Sequence, residues 1–198
     1  MGSLTLKQFQ SPLLAPIDLH LAAGECLAIS GPSGSGKSRL LRALADLDPA
    51  EGGIQLDGRD RLQFSGPEWR LKVGLLTAES GWWSERVGDH FEQVDETLFS
   101  QLDLTLKCLD WEVSHLSSGE RQRLSLIRLL SQQPEVLLLD EPTANLDQRN
   151  TERVESLIGD WRRNHHTAVL WVSHDPEQRA RIAAQAWHID AGELRPEA

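Results

Sequence analysis

The chain of 198 residues has no tyrosine, one methionine, two cysteines and few basic side chains. Its 20 lysines and arginines stand against 30 acidic residues, which gives a formal net charge of −10. Binding to the phosphate backbone of DNA or RNA requires a basic face, and this excess of acid argues against it. We therefore expect no nucleic-acid partner.

Cysteine is scarce, and Cys26 and Cys108 lie far apart without any metal-binding or redox spacing. This predicts two reduced, partly buried thiols. Long apolar runs are also missing, since no segment approaches the ~20 residues of a membrane-spanning helix. The opening residues MGSLTLKQF have neither the charge nor the apolar stretch of a signal peptide. If the protein works at a membrane, we expect another chain to bring it there.

The hydrophobic pattern alternates between strands and helices. In the first sixty residues, LTLKQF, IDLHL and GGIQLDG alternate apolar and polar side chains, which predicts half-buried antiparallel strands. The dense apolar runs ECLAIS, PEVLLLDEP and TAVLWVSHD predict buried parallel strands, and AWHIDAGELR predicts a closing edge strand and turn. Helices are predicted in KSRLLRALADL, ERQRLSLIRLLSQQ and RNTERVESLIGDWRRN, and weaker ones in PEWRLKV, ERVGDHFEQV and DETLFSQLDLTLKCL. The sequence thus predicts an α/β fold with a mainly parallel core sheet and an N-terminal antiparallel β part.

A glycine-rich loop, GPSGSGKS, follows the first dense apolar run and precedes a predicted helix. It fits the phosphate-binding pattern G-x-x-x-x-G-K-[ST] in the context that the pattern requires. Its amides and the helix N-terminus would surround a phosphate, Lys37 would pair with the β and γ phosphates, and Ser38 would offer a hydroxyl to Mg²⁺. The predicted nucleotide-binding residues here are Gly31, Pro32, Ser33, Gly34, Ser35, Gly36, Lys37, Ser38 and Arg39.

Two adjacent acids close the apolar run VLLLDE. Asp140, at the carboxyl end of the predicted strand, is placed to hold Mg²⁺ through water. Glu141 would reach a water in line with the γ-phosphate and act as a general base or orient that water. The alternative is that Glu141 merely begins the turn EPTANLD.

A third motif, HLSSGERQRLSLIRLL, begins with Ser117-x-x-Glu120, which is also a capping box. Taken alone, the motif would indicate helix initiation only. The order of GPSGSGKS, LSSGE, VLLLDEPTANLD and WVSHD resembles the ATP-binding cassette (ABC) ATPases over nearly the whole chain. The resemblance implies a P-loop NTPase fold in a single domain, 1–198, with a shortened helical subdomain at about 62–116.

In that family, two cassettes face each other head to tail, and each ATP lies between the P-loop of one and the signature helix of the other. By resemblance, Ser117, Ser118 and Gly119 would contact the ATP bound to the partner subunit. Asp147 in ANLD would communicate across the dimer, and His174 in WVSHD would contact the γ-phosphate. The implied catalytic residues are Lys37, Glu141 and His174.

The sequence departs from the family pattern at three places. The signature reads LSSGE instead of LSGGQ, so Ser118 replaces a glycine at a close approach to nucleotide. The glutamine that follows the family's corresponding strand is replaced by Ala78, with Glu79 next as a substitute Mg²⁺ ligand. In this family an aromatic residue stacks on adenine, and Phe9 is the only candidate for that role here. The alternative is that Phe9 belongs to the strand core. The departures at Ala78 and Ser118 predict slow or partner-dependent hydrolysis.

Trp82 and Trp83 lie just beyond Ala78, in the region that accepts a short helix of the membrane subunit in this family. Our hypothesis is that one or both anchor that helix, and the alternative is packing inside the helical subdomain. If mutation of both residues to alanine left basal ATPase activity and complex assembly normal, the anchor hypothesis would fail.

The resemblance implies an ATP-binding and ATP-hydrolysing subunit that works with Mg²⁺ as a homodimer beneath a separate membrane permease. The expected location is the cytoplasmic face of the inner (plasma) membrane, in the bacterial cytoplasm. The alternatives are a membrane-associated regulatory cassette that moves no solute and a cassette that closes on ATP with very slow hydrolysis. LSLIRLL and AVLWVSHD also resemble the ATPase subunits of small bacterial exporters, including an iron-export type.

Overall fold

The computed structural model describes residues 2–12 and 14–197. The strands in this part of the chain are β1 (Leu4–Ser11), β2 (Leu14–Leu21), β3 (Cys26–Ser30), β4 (Glu51–Leu56), β5 (Arg59–Asp60), β6 (Val73–Leu76), β7 (Val136–Asp140), β8 (Ala168–Val172), β9 (Gln185–Asp190) and β10 (Glu193–Pro196). The helices are α1 (Lys37–Leu44), α2 (Gly66–Lys72), α3 (Glu96–Gln101), α4 (Ser118–Leu130), α5 (Gln148–His165) and α6 (Pro176–Ile182). Shorter 3-10 turns lie at Arg61–Gln63, Val87–His90, Leu106–Asp110 and Val113–His115.

Two sheets carry the fold. The antiparallel sheet has the order β2-β1-β4-β5, and the larger sheet has the order β10-β9-β3-β8-β7-β6. In the larger sheet all neighbours from β9 to β6 are parallel, and only β10 is antiparallel. The predicted α/β class, with its parallel core and its N-terminal antiparallel part, is therefore confirmed.

The parallel sheet is buried on both faces, as its dense apolar runs predict. Along β7, Leu138 packs into the hydrophobic cluster that contains α1, whereas Leu137 and Leu139 pack into the cluster that contains α4 and α5. Successive side chains of a strand point to opposite faces, so a strand covered on both sides must be apolar throughout. The sheet is therefore a rigid frame for the loops at its ends.

The segment between β6 and α4 is less helical than its sequence predicts. ERVGDHFEQV forms only a 3-10 turn at Val87–His90, because the His90 ring binds the preceding backbone and fixes a compact turn. The helix predicted in DETLFSQLDLTLKCL ends at Gln101. Asp103 takes a left-handed φ of 57°, and the Leu104 amide donates to the Phe99 carbonyl, which is a Schellman ending.

The C-terminal part adds a short helix that the pattern did not predict. Helix α6 begins at Pro176, where Asp175 accepts hydrogen bonds from the amides of Glu177 and Gln178. The hairpin β9–β10 then closes the edge of the sheet as predicted. In the described ranges no helix has the length and apolar character to cross a bilayer.

Candidate active site

Parallel pairing brings the ends of β3, β8, β7 and β6 to one edge of the sheet. Ile29 and Asp140 both pair with Val172, which lies between them on β8. The glycine-rich loop after β3, the acids at the end of β7 and the histidine after β8 are therefore neighbours. In open parallel sheets, ligands bind at this carboxyl edge.

The glycine-rich loop turns sharply between β3 and α1, and two glycines are required by its backbone. Gly31 has φ of 145°, and a Cβ there would lie 2.4 Å from the Ile189 carbonyl oxygen. Gly36 has φ of 103° directly before α1, and that helix starts without a side-chain cap. The first amides of α1 have no intrahelical acceptor, so they are free to bind an anion.

Lys37 is buried at the base of this loop, although it is charged. Its Nζ donates to the carbonyl oxygens of Gly31 at 2.8 Å and Pro32 at 2.9 Å. Burial lowers the pKa of the lysine, while the charges of Glu141 and Asp140 oppose that shift. The ammonium group therefore lies between the loop and the two acids, where phosphate oxygens would pair with it.

Other loop residues complete the cradle. Ser38 and Arg39 are exposed on the first turn of α1. The buried Ser35 hydroxyl has no hydrogen-bond partner in the described part of the chain. An unpartnered hydroxyl beside free helix amides is the chemistry that fits a phosphate group.

Glu141 and His174 form a pair across the ends of β7 and β8. Glu141 has a left-handed φ of 48°, and its amide donates to the Val172 carbonyl at 3.2 Å. His174 Nε2 lies 2.9 Å from Glu141 Oε1, so the imidazole ring and the carboxylate are in direct contact. A cleft of about 420 Å³ opens beside both side chains. The sequence predicted each residue separately, and the structure brings them together.

Asp140 is buried at the end of β7, with 7% of its surface exposed. No group of three or more acidic, histidine or cysteine side chains that could hold a metal occurs in residues 2–12 and 14–197. Mg²⁺ beside a nucleotide needs only one or two protein ligands, because phosphates and water supply the rest. The oxygen donors of Ser38 and Asp140 fit that requirement.

The LSSGE motif lies at the start of α4, on the surface. The Ser117 hydroxyl donates to Glu120 Oε2 at 2.7 Å and accepts from the Glu120 amide at 3.2 Å, so the predicted capping box is present. Hydrogen bonds from Ser117 lower the pKa of Glu120. Ser118 is exposed, and a Cβ on Gly119 would lie 3.2 Å from the Asn145 carbonyl oxygen. The motif thus abuts the loop that leads to α5.

Asp147 ends that loop and caps α5. Its Oδ1 accepts from the Asn150 amide at 2.8 Å, and its Oδ2 accepts from the Asn150 side chain at 3.2 Å. The carboxylate therefore has a structural partner within the chain, and its role across a dimer stays a prediction.

Phe9 and Glu79 lie in very different surroundings, the first buried and the second exposed. Phe9 is 1% exposed and belongs to the core between the sheets, so its ring has no free face for adenine. The strand-core alternative is the one that the structure has. The alternation of β1 is interrupted at Gln8, which has a left-handed φ of 46°, and this irregularity turns Phe9 to the same buried side as Leu4 and Leu6. Glu79 and Ala78 are exposed in the turn after β6, where the Thr77 hydroxyl donates to the Glu79 carbonyl at 2.7 Å. Binding of Mg²⁺ by Glu79 stays a prediction.

The two adjacent tryptophans differ in exposure. Trp82 packs against the core, whereas Trp83 is 71% exposed. His90 Nε2 accepts from the amides of Trp83 at 3.0 Å and Ser84 at 3.1 Å, and the Arg128 guanidinium lies 4.8 Å from both indole rings. Sequence reasoning did not single out either side chain: His90 belongs to no motif, and Arg128 lies within LSLIRLL, where no pattern indicates contact with a tryptophan.

These features agree with comparisons to known proteins. Residues 14–144 match the family model described as "ABC transporter". "Protein STAR1" of Oryza sativa subsp. japonica is 36% identical over 195 residues, which cover 92% of this chain and 56% of that protein. "Aliphatic sulfonates import ATP-binding protein SsuB 3" of Rhodococcus jostii (strain RHA1) is 36% identical over 185 residues, 91% of this chain and 66% of that protein.

Two further comparisons also align with most of this chain. The "Probable iron export ATP-binding protein FetA" of Escherichia coli (strain K12) is 35% identical over 179 residues, 84% of this chain and 80% of that protein. A bacterial Atm1-family ABC exporter solved with ATP bound superposes with a TM-score of 0.83 at 25% identity, over 98% of this chain and 38% of the exporter chain. The chain thus spans little more than half the length of STAR1 and less than half of the exporter chain. The fold is the one expected for the glycine-rich loop, the paired acids, the signature serine and the histidine after β8. The chain belongs to the ABC transporter family, whose ATP-binding domain it carries.

Proposed function

We propose that this chain is the ATP-hydrolysing subunit of an ABC transporter and that two copies of it close on ATP beneath a separate membrane permease. The observation that carries the proposal is the pairing of Glu141 with His174 at the edge of the sheet where the glycine-rich loop begins. A carboxylate held by a histidine beside a phosphate cradle can orient a water and accept its proton.

Each side chain has a distinct part in this proposal. Lys37 and the first amides of α1 bind the triphosphate oxygens. Ser38 and Asp140 would hold Mg²⁺, which when bound offsets the charge on the phosphates. Glu141 orients the attacking water, and His174 holds the Glu141 carboxylate through the contact of 2.9 Å between Nε2 and Oε1.

The second half of each site would come from another copy. Ser117 and Ser118 are exposed at the N-terminus of a 13-residue helix, where partial positive charge favours an anion. This exposure supports a homodimer in which Ser117 and Gly119 contact ATP held by the partner, with Asp147 at the junction.

A groove of about 370 Å³ supports the permease contact. It lies between α2, β6 and α4, and its lining includes Leu47, Arg70, Trp83 and Arg128 but no acidic side chain. Leu47 is 46% exposed and Trp83 is 71% exposed, although the protein carries a net charge of −10. An amphipathic segment of the permease with an acidic residue would match this apolar and cationic surface. Trp83 is the anchor in this proposal, and Trp82 packs within the chain.

Docking on a permease would place the chain at the cytoplasmic face of the membrane. The names of the relatives include both import and export, so in this proposal the permease determines the direction of transport. Ala78 favours one second candidate, a cassette that binds ATP but hydrolyses it slowly. A methyl group in the turn after β6 can neither bind Mg²⁺ nor orient water.

The test combines dimerisation with turnover. With ATP and Mg²⁺, Glu141→Gln should accumulate a dimer at twice 22.2 kDa on a sizing column, because nucleotide binds and hydrolysis stops. The wild-type chain should hydrolyse ATP, and Glu141→Gln should not. Tight binding of Mg-ATP by a monomer that persists in Glu141→Gln would contradict the dimer. Increased turnover in Ala78→Gln would support the slow-cassette candidate.

A further inference from the structure

A buried arginine connects the histidine loop to the C-terminal hairpin. Arg179 lies on α6 and is only 7% exposed. Its Nη1 donates to the carbonyl oxygen of Ser173 at 3.1 Å, and Ser173 directly precedes His174. A buried guanidinium is costly unless a carboxylate and further hydrogen-bond acceptors compensate it.

Glu197 supplies that carboxylate. Arg179 Nη2 donates to Glu197 Oε1 at 2.7 Å, and Arg179 Nε donates to Glu197 Oε2 at 3.2 Å. Glu197 is itself fixed, because its amide donates to the Ala186 carbonyl at 2.7 Å. The pair therefore has the two-pronged geometry that gives an arginine a defined orientation.

The same carboxylate also reaches the segment before the glycine-rich loop. The Ser30 hydroxyl lies 2.8 Å from His188 Nδ1 and 3.4 Å from Glu197 Oε2. Ser30 is the residue before Gly31. Glu197 thus lies where the two loops of the site leave neighbouring strands.

The contact with Ser173 matters because of peptide geometry. The carbonyl oxygen of Ser173 belongs to the planar peptide that also contains the amide and Cα of His174. The Ser173 amide is already bound to the Ile29 carbonyl at 3.1 Å. Arg179 therefore fixes the last peptide before the histidine, and with it the direction from which the ring approaches Glu141.

We propose that Arg179 and Glu197 are positioning residues for ATP hydrolysis, which act by holding the Ser173–His174 peptide so that His174 meets Glu141. The proposal rests on the function proposed above. Neither side chain bonds to the phosphate cradle itself, so the pair should influence the chemical step more than nucleotide binding.

The test uses Glu197→Ala, with Glu193→Ala as the matched control. Glu193 lies on the same hairpin and pairs with Arg195 at the surface, away from the histidine loop. We expect Glu197→Ala to lower kcat for ATP by about tenfold or more, since small misplacements of catalytic groups have large effects. KM for ATP and the Kd for a fluorescent ATP analogue should stay within about twofold of the wild-type values. Glu193→Ala should leave kcat, KM and this Kd unchanged.

Two further variants separate positioning from folding. Glu197→Gln keeps one acceptor for the guanidinium, so its kcat should lie between those of Glu197→Ala and the wild type. Arg179→Lys keeps the positive charge, but a lysine cannot bridge Ser173 and Glu197 together. Thermal unfolding of each variant shows whether it is folded at the assay temperature. An unchanged kcat in folded Glu197→Ala, or a parallel loss of ATP binding, would overturn the inference. Absence of ATP turnover in the wild-type chain would instead overturn the proposed function.

Discussion

Single side chains show how strongly their surroundings control reactivity in this protein. Burial raises the pKa of the Cys26 thiol to about 12 and that of the Cys108 thiol to about 11. The thiolate is the reactive form of cysteine, so both groups are unreactive at neutral pH. The prediction of reduced, partly buried thiols understated their burial, because both side chains are at most 3% exposed.

These two thiols predict a loss of stability in alkali. Each pKa is higher in the folded chain than its ordinary value of 9.0, so the folded state keeps protons that the unfolded state releases. Their contribution to the free energy of unfolding is complete below about pH 9 and is lost as pH rises towards the folded values. Urea unfolding at several pH values measures it, and no tyrosine titrates in the same range.

The control is Cys26→Ala with Cys108→Ala, in which this alkaline slope should be reduced. Thiol counting with a chromogenic disulfide gives a second measure. Two thiols per chain should react in denaturant and almost none in the folded protein. Rapid reaction of the folded protein at neutral pH would contradict the burial of both groups.

Several site residues could be predicted one by one, but their contacts could not. Glu141 and His174 belong to separate motifs, and only the pairing of β7 with β8 makes them neighbours. Arg179 and His90 belong to no motif, so their hydrogen bonds appear only in three dimensions. Phe9 is a candidate for adenine because no other aromatic residue lies upstream of the loop, but the irregularity of β1 at Gln8 turns it into the core, and no periodic pattern predicts that irregularity.

Helices α2 and α4 begin with the same capping box, which allows a matched experiment. Ser65 and Glu68 cap α2, and Ser117 and Glu120 cap α4, with equivalent side-chain and backbone hydrogen bonds. Loss of an N-cap serine destabilises a helix start by about 1 kcal/mol. Ser65→Ala and Ser117→Ala should therefore lower the free energy of unfolding by similar amounts.

Only Ser117→Ala should also lower ATP turnover. In the proposed dimer the Ser117 hydroxyl contacts the partner's nucleotide, whereas Ser65 caps a helix that carries none of the nucleotide residues. Denaturant unfolding gives the stability, and steady-state ATPase assays with the cognate permease give the turnover. Equal turnover in the two variants would show that the capping box of α4 is a structural feature alone.

The success of element prediction depended on periodicity. Buried strands such as β7 and long helices such as α5 have patterns that few other structures share, and the structure contains both. The region between β6 and α4 is held instead by turns and single contacts, such as the His90 ring on the Trp83 amide. Such contacts produce no periodic pattern in the sequence, which explains why a helix was wrongly predicted at ERVGDHFEQV.

For the molecule as a whole, the groove around Trp83 predicts where a partner binds. Trp83→Ala should weaken assembly with the permease by at least tenfold, because exposed aromatic anchors dominate interfaces of this kind. Trp111→Ala is the control, since Trp111 is 41% exposed but does not line the groove. Co-purification with the cognate permease measures assembly, and ATP turnover of the isolated chain should be the same in both variants. Normal assembly of Trp83→Ala would exclude this anchor.

The uneven exposure of the seven tryptophans has an optical consequence. Trp69 and Trp171 are at most 1% exposed and emit from an apolar interior, whereas Trp83 emits largely into water beside the Arg128 guanidinium. Intrinsic fluorescence therefore carries a red-shifted component, with a smaller part from Trp111, which is 41% exposed, and a larger part from Trp83, the indole that iodide should quench most. Covering that indole would move the emission to shorter wavelength, so the protein contains its own unlabelled reporter of complex formation.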